Sequence, residues 1–208
     1  MPDQLILFTR FPEPGRVKTR LIPALGAEGA ADLHRQLTEH CVNRITPAIS
    51  GTSLSLHVFY SGGSNKLMRQ WLPGIPMLQQ QGLTLGQRMA AAVNHARARN
   101  RQRILLFGAD CPDLDKDLIR DALKMLTNHD LALGPTFDGG YYLLGIGPSC
   151  TKADLNTLLT DIPWGTTEVL EQTLAKAEAA GCSYDVLPTL HDIDRPEDLE
   201  HFHHHACS

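Results

Sequence analysis

Short apolar runs alternating with amphipathic helical stretches predict an α/β fold, a mostly parallel sheet covered on both faces. Three observations carry this prediction. The run Ile104-Leu-Leu-Phe107 is apolar throughout, as expected of a buried central strand, and Gly108 stops it. A second such run, Leu5-Ile-Leu-Phe8, opens the chain. Between them, Leu33, Leu37, Cys41 and Ile45 recur every four residues, the spacing of a buried helix face. A length of 208 residues suits a single domain over 1–208, with 201–208 expected as a flexible tail.

Composition narrows the function classes. Apolar residues make up 42% and charged residues 20%, which supports a packed core and excludes a disordered chain. The net charge of −4, without a long basic run, excludes nucleic acid and anionic membranes as expected partners. No apolar run approaches the ~20 residues of a membrane span. Met-Pro-Asp-Gln leads straight into the first apolar run with no basic segment, so no signal peptide is expected. The five cysteines (41, 111, 150, 182 and 207) are scattered and lack a Cys-x-x-Cys pair, which fits a reducing cytoplasm. Cys111 is expected to be a small buried apolar residue rather than a nucleophile.

In chain order, the first strand ends at Thr9-Arg10, because Phe11-Pro-Glu-Pro-Gly15 can continue neither a strand nor a helix. A helix over 26–49 follows, with Pro47 marking its end. Residues 54–60 alternate loosely and predict a strand, broken by Ser61-Gly-Gly-Ser64. A short helix over 65–72 and an extended piece over 77–80 come next. Thr84 is the expected N-cap of another helix, with Gln87 completing a capping box and Leu85, Met89, Val93 and Ala96 inward. A helix over 115–127 follows the 104–107 strand and turns Leu118, Ile119, Ala122, Leu123 and Leu126 inward. Two strands, 131–133 and 141–145, are joined by Asp138-Gly-Gly140, whose Asp-Gly pair is a hairpin signal. Residues 152–160 read as a short helix or an ordered loop. The next helix buries Val169, Leu170, Leu174 and Ala177, and Gly181 stops it. A last strand covers 184–187. Pro196 fits the first position of a final helix, with Asp194 as a nearby cap. His201-Phe-His-His-His205 lies too close to a chain end to be read as a specific metal site, and a tag-like origin fits it equally.

Several of these connections carry chemistry. Asp110 falls just past the carboxyl end of the 104–107 strand, where open α/β sheets bind ligands. A carboxylate there can hold a divalent metal that in turn holds phosphate oxygens. It can also cap the next helix, a role open to Asp115 as well. Pro14-Gly-Arg-Val-Lys-Thr-Arg20 carries three cations in five residues after the first strand, a natural phosphate site. Gly15 allows close backbone approach, Arg16, Lys18 and Arg20 supply charge, and Arg10 stands at the strand's end. The loop lacks the Gly-Lys-Ser/Thr order of a Walker loop. Gly82 and Arg88 flank a helix start that can receive an anion or a base edge, although a well-capped helix explains the same residues. Gly139 and Gly140 leave room for a substrate beside Asp138, and a hairpin can carry a base. Asp192 and Asp194 flank Ile193, and capping accounts for one of them but not easily for both.

Five stretches are also similar to one known group. Phe11-Pro-Glu-Pro-Gly-Arg-Val-Lys-Thr-Arg-Leu21, Leu85-Gly-Gln-Arg-Met89, Gly108-Ala-Asp-Cys-Pro-Asp-Leu114, Gly134-Pro-Thr-Phe-Asp-Gly-Gly-Tyr-Tyr-Leu-Leu144 and Asp192-Ile-Asp-Arg-Pro-Glu-Asp-Leu199 resemble the bacterial DUF2064 family. That family belongs to the nucleotide-diphospho-sugar transferase superfamily, whose relatives include 2-phospholactate guanylyltransferase and the molybdenum-cofactor nucleotidyltransferases. The resemblance implies a single GT-A domain, a three-layer α/β/α sandwich with a mostly parallel, Rossmann-like sheet. By position it implies that Asp110 binds a catalytic metal, that Asp192 or Asp194 supplies a second carboxylate, and that Lys18 and Arg20 touch phosphates. Two departures stand out. Asp-Cys-Pro-Asp replaces the glycosyltransferase Asp-x-Asp, and a Pro-rich loop replaces the Gly-rich loop of nucleotidyltransferases.

The expected function is therefore metal-dependent sugar transfer from a nucleotide-diphospho-sugar to a small acceptor. Mg²⁺ or Mn²⁺ is the expected cofactor. Lys18 and Asp138 are the expected catalytic groups, the first adding fixed positive charge and the second orienting or deprotonating the acceptor hydroxyl. The alternative is transfer of a nucleoside monophosphate from a nucleoside triphosphate to a phosphorylated small molecule, with release of pyrophosphate. Nucleotide binding without catalysis ranks third, because every acidic position is filled.

Overall fold

The computed structural model describes residues 3–203. Seven strands form one sheet: β1 (Gln4–Arg10), β2 (Ser55–Ser61), β3 (Met77–Gln79), β4 (Ile104–Phe107), β5 (Leu131–Pro135), β6 (Tyr141–Ile146) and β7 (Tyr184–Val186). Their order is β3-β2-β1-β4-β6-β5-β7. All neighbours are parallel except β6, which runs antiparallel to both β4 and β5. The reason is local. Only a short turn separates β5 from β6, so β6 must return antiparallel, as the Asp-Gly signal predicts.

The helices are α1 (Ile22–Ile49), α2 (Asn65–Trp71), α3 (Leu85–Arg97), α4 (Lys116–Met125), α5 (Lys152–Leu159), α6 (Val169–Ala179) and α7 (Leu199–His203). Side chains alternate across a strand, so each central strand feeds both faces of the sheet. Leu5, Leu7, Leu105 and Phe107 meet buried residues of α1, α2 and α4. Ile6, Ile104 and Leu106 meet α3, α5 and α6. The result is the expected three-layer α/β/α arrangement. Among the described residues no helix is long and apolar enough to cross a membrane.

Local details correct several expectations. The first helical turn of α1 precedes Gly26, where a left-handed φ of 70° kinks the chain. Pro47 lies in the last turn of α1 and marks its end, as expected. The Thr84–Gln87 capping box forms at α3, but Leu85 is 42% exposed and faces away from the core that buries Met89, Val93 and Ala96. The 152–160 stretch is a helix, started by a second capping box between Thr151 and Asp154. Asp194 is not a cap. The Asp198 carboxylate instead accepts from the backbone N–H groups of Asp194 (3.0 Å) and Arg195 (2.7 Å). The stretch expected as a tail begins inside α7, where the His201 ring stacks on His191 at 4.0 Å and His191 stacks on Phe137 at 4.1 Å. Residues 204–208, with Cys207 and the rest of the histidine run, lie outside the described residues.

A third, smaller cluster bears most directly on function. Leu21, Ala30, Leu33 and Leu37 enclose Ile193, which is fully buried. The Ile193 N–H also donates to the Asp110 backbone carbonyl at 2.9 Å. One apolar side chain thereby ties three distant stretches together. Ile193→Ala should cost about 2–5 kcal/mol, as large-to-small changes in cores do. Urea unfolding measures this, and a loss well below 1 kcal/mol would show that the 190–195 segment is held by other contacts.

Candidate active site

β1 and β4 are parallel neighbours, so the chain leaves both at the same edge of the sheet. A cleft of about 790 Å³ opens there. The loop after β1, the turn after β4, the β5–β6 hairpin and the 192–194 segment all reach it.

Lys18 joins these parts. Its backbone is left-handed (φ 46°, ψ 43°), a conformation uncommon outside glycine and one that tends to mark functional sites. Its side chain is only 4% exposed. The ammonium lies 2.5 Å from the Asp110 carboxylate, donates to the Ile193 carbonyl at 2.5 Å, and stands 3.8 Å from Asp194. Arg20 completes the set with a 2.6 Å ion pair to Asp194. Burial works to raise the Asp110 carboxyl, but the Lys18 charge, then His34, the Lys18 hydrogen bond and Arg10 together outweigh it and hold the group below the ordinary carboxylate range. The competing cap role falls to Asp115, whose carboxylate accepts from the Asp117 and Leu118 N–H groups at 2.9 and 3.0 Å.

Asp192 and Asp194 differ although each is one residue from Ile193. In an extended segment both face away from the buried Ile193 and toward the cleft, which both line. Asp194 is neutralised by Arg20 and Lys18. Among the described residues Asp192 forms no ion pair within 4 Å, and burial, aided by the nearby Asp138 charge, raises its carboxyl to about 6. Asp138 lines the cleft beside it, and its Oδ1 accepts from Thr136 Oγ1 at 2.5 Å and from the Gly140 N–H at 2.9 Å. The hairpin turn thus orients the carboxylate, and structural and functional readings of Asp138 coincide.

The other predicted residues divide. Arg10, Arg16, Arg88 and Gly140 line the cleft. Arg88 also donates to the Gly82 carbonyl at 3.0 Å, and Arg16 pairs with Glu13 at 3.5 Å. Gly15, Gly82 and Gly139 are not among the lining residues. A Cβ on Gly139 would stand 2.1 Å from the Thr167 carbonyl oxygen, so this glycine admits the 163–168 loop. A Cβ on Gly82 would press on Gln87 and the Arg88 nitrogen, which makes it part of the α3 start. Asp113 is exposed and away from the cleft lining. Cys111 is buried, as expected, and burial raises its thiol.

Some cleft residues carry no sequence signal. His34 sits on the same stretch of α1 as Leu33 and Leu37, yet its Nε2 lies 3.0 Å from the Arg10 carbonyl and 3.3 Å from Thr9 Oγ1. Burial lowers its pKa, against the opposing pull of Asp110. Gln80 spends its amide N–H groups on the Thr9 and Phe59 carbonyls. Trp164 and Tyr141 line the cleft as well.

Among the described residues, no three His, Cys, Asp or Glu side chains gather closely enough to hold a metal by themselves. Asp110 and Asp192 are the carboxylates whose surroundings suit one. A Mg²⁺-type site needs one or two carboxylates and takes its other ligands from water and substrate phosphates. Asp194 also lines the cleft, paired with Arg20 and Lys18 as Asp110 is with Lys18.

The model of the DUF2064 family, described as an uncharacterized protein conserved in bacteria, matches residues 46–166. No curated protein matches the chain. A solved structure from Desulfovibrio desulfuricans G20, provisionally described as a nucleotide-diphospho-sugar transferase, is 33% identical, with a TM-score of 0.87 over 100% of this chain and 89% of that one. A nucleotidyl transferase from Methanothermobacter is 15% identical, with a TM-score of 0.64 over 99% of this chain and 98% of that one. CMP:2-keto-3-deoxy-manno-octonic acid synthetase in complex with CTP is 10% identical, with a TM-score of 0.59 over 98% of each. The last two share the fold.

The raised carboxyl of Asp192 has a stability signature. The folded protein holds this proton up to about pH 6, while the unfolded chain releases it near 3.8. The unfolded state therefore binds fewer protons in that window, and the group's contribution to stability falls as pH rises through it. Asp192→Asn should flatten this decline when Tm is followed from pH 4 to 7 in EDTA. An unchanged slope would place the strained charge elsewhere.

Proposed function

The chain belongs to the DUF2064 family, and we propose that it is a metal-assisted glycosyltransferase that moves a sugar from a nucleotide-diphospho-sugar to a small acceptor. The observation that carries this reading is the meeting, in one cleft, of the Lys18 and Arg20 cations with the Asp110 and Asp192 carboxylates. Such a set suits a diphosphate, which needs positive charge on its oxygens as it departs.

In this reading Lys18 and Arg20 face the diphosphate. Both are pre-positioned by their acidic partners, so little reorganisation accompanies the reaction. Asp138, held by Thr136 and the Gly140 N–H, orients the acceptor hydroxyl and receives its proton. The acceptor oxygen bonds to the anomeric carbon as the bond from that carbon to the diphosphate oxygen breaks, and the nucleoside diphosphate leaves. Bound by Asp110 and Asp192, Mg²⁺ or Mn²⁺ would supply further positive charge to the diphosphate. The buried free cysteines fit a reducing cytoplasm as the place of action.

A second reading, nucleotidyl transfer with pyrophosphate release, draws on the fold shared with the CTP-bound synthetase and the Methanothermobacter protein. The Pro-rich 11–15 loop weighs against it, since a nucleoside triphosphate asks for close backbone approach there.

Thermal stability against nucleotides and nucleotide-sugars, with and without Mn²⁺, separates these readings. A ligand that binds the folded state at ~100 times its dissociation constant stabilises by roughly 2.7 kcal/mol. A Mn²⁺-dependent shift with one nucleotide-sugar or its diphosphate, lost in Asp110→Ala, is expected. A shift confined to a triphosphate would move the assignment to nucleotidyl transfer. No shift with any of them would remove the metal from Asp110.

A further inference from the structure

The cleft lining combines two kinds of chemistry. One is the charged group of Lys18, Asp110 and Asp194. The other is aromatic, with Trp164 and Tyr141 meeting edge to face (centroids 6.2 Å apart, planes at 79°). Trp164 is half-buried and lines the cleft, so part of the indole is open to a ligand.

Its loop is firmly held. The Gly139 carbonyl accepts from the Leu170 N–H at 2.9 Å, and Gly139 itself leaves no room for a side chain against the Thr167 carbonyl. Within the loop, Thr166 Oγ1 donates to the Pro163 carbonyl at 2.8 Å and accepts from the Glu168 N–H at 3.3 Å. The charged and aromatic stretches also touch. Arg20, paired with Asp194, reaches to 3.5 Å from the carbonyl oxygen of Gly165, the residue next to Trp164. A diphosphate held by Arg20 therefore has the indole one residue away. The ring nearest a diphosphate on its non-nucleoside side is the sugar, and a sugar presents an apolar C–H face that an indole can cover while its hydroxyls stay wet.

We propose that Trp164 is the platform on which the transferred sugar ring of the donor stacks, and hence a specificity-determining residue for the sugar rather than for the nucleotide. This rests on the donor class proposed above. Tyr141 braces the indole from the side, and the 139–170 contacts keep it from swinging away. The chemical class of ligand is a pyranose or furanose ring joined to a nucleoside diphosphate.

The chain has two tryptophans, and Trp71 is distant in role, donating to Glu39 at 2.8 Å on the helical layer opposite α3. Intrinsic fluorescence of the full chain and of Trp164→Phe thus isolates the Trp164 signal by difference. The probes are UDP-glucose, GDP-mannose and dTDP-glucose, each against its own nucleoside diphosphate, in Mn²⁺. The expected result is a Trp164 signal with a nucleotide-sugar and little or none with the matching diphosphate. Trp164→Ala should weaken that nucleotide-sugar about tenfold, leave the diphosphate within about twofold, and Trp164→Phe should retain most of the affinity. Thermal unfolding of each variant checks that it folds. An equal signal or an equal loss with sugar and diphosphate would overturn the proposal, as would thermal shifts with both ligands and no Trp164 signal with either. Those outcomes leave the donor reading intact. An absence of any thermal shift in the wild type overturns both.

Discussion

A buried ammonium holds this site together. Lys18 is almost fully enclosed, and an enclosed charge is costly unless it is paired and hydrogen-bonded. Asp110, from the turn after β4, and the Ile193 carbonyl and Asp194, both from the 192–194 segment, meet that requirement. Removing one partner from such a set leaves an unmatched charge, which is why these residues form a unit rather than a list of contacts. The left-handed backbone at Lys18 is part of the same arrangement, since local strain persists where the surroundings over-determine it.

The apolar counterpart of this knot is Ile193. Its burial among Leu21, Leu33 and Leu37 sets the height of the 192–194 segment against the loop after β1. The segment then presents two carboxylates to one cleft, and tertiary context makes them unlike. Asp194 is matched by two cations, Arg20 and Lys18. Asp192 lies near like charges, with its carboxyl raised to about 6, in an environment that added positive charge would relieve. The same contrast appears at Asp110 and Asp115. Both are aspartates following β4, but the second satisfies the α4 N-terminus and so frees the first for the cleft.

The hairpin between β5 and β6 connects a charged and an aromatic part of the cleft lining. Asp138 is oriented by its own turn, while Gly139 accepts the close approach of the 163–168 loop and so sets the position of Trp164. One short sequence therefore positions both a carboxylate and an aromatic wall. Gly139 lets the backbone at Thr167 pass close to the hairpin.

What the sequence by itself determined is what depends on near neighbours in the chain. Strands 104–107 and 5–8 are legible because burial on both faces demands unbroken apolar runs, and the Thr84–Gln87 box because its partners are three residues apart. The hairpin at 138–140 and the placement of Asp110 beyond a strand end are legible for the same reason. The partner of each charge was decided by the tertiary structure. Lys18 and Ile193 are separated by 175 positions, and Arg20 and Asp194 by 174. No local spacing distinguishes Asp192 from Asp194, marks His34 within the Leu33 and Leu37 stretch, exposes Leu85, or brings Trp164 beside Gly139. Those outcomes depend on how sheet order and the Ile193 cluster bring distant loops to one edge, where desolvation and charge pairing act through space rather than along the chain.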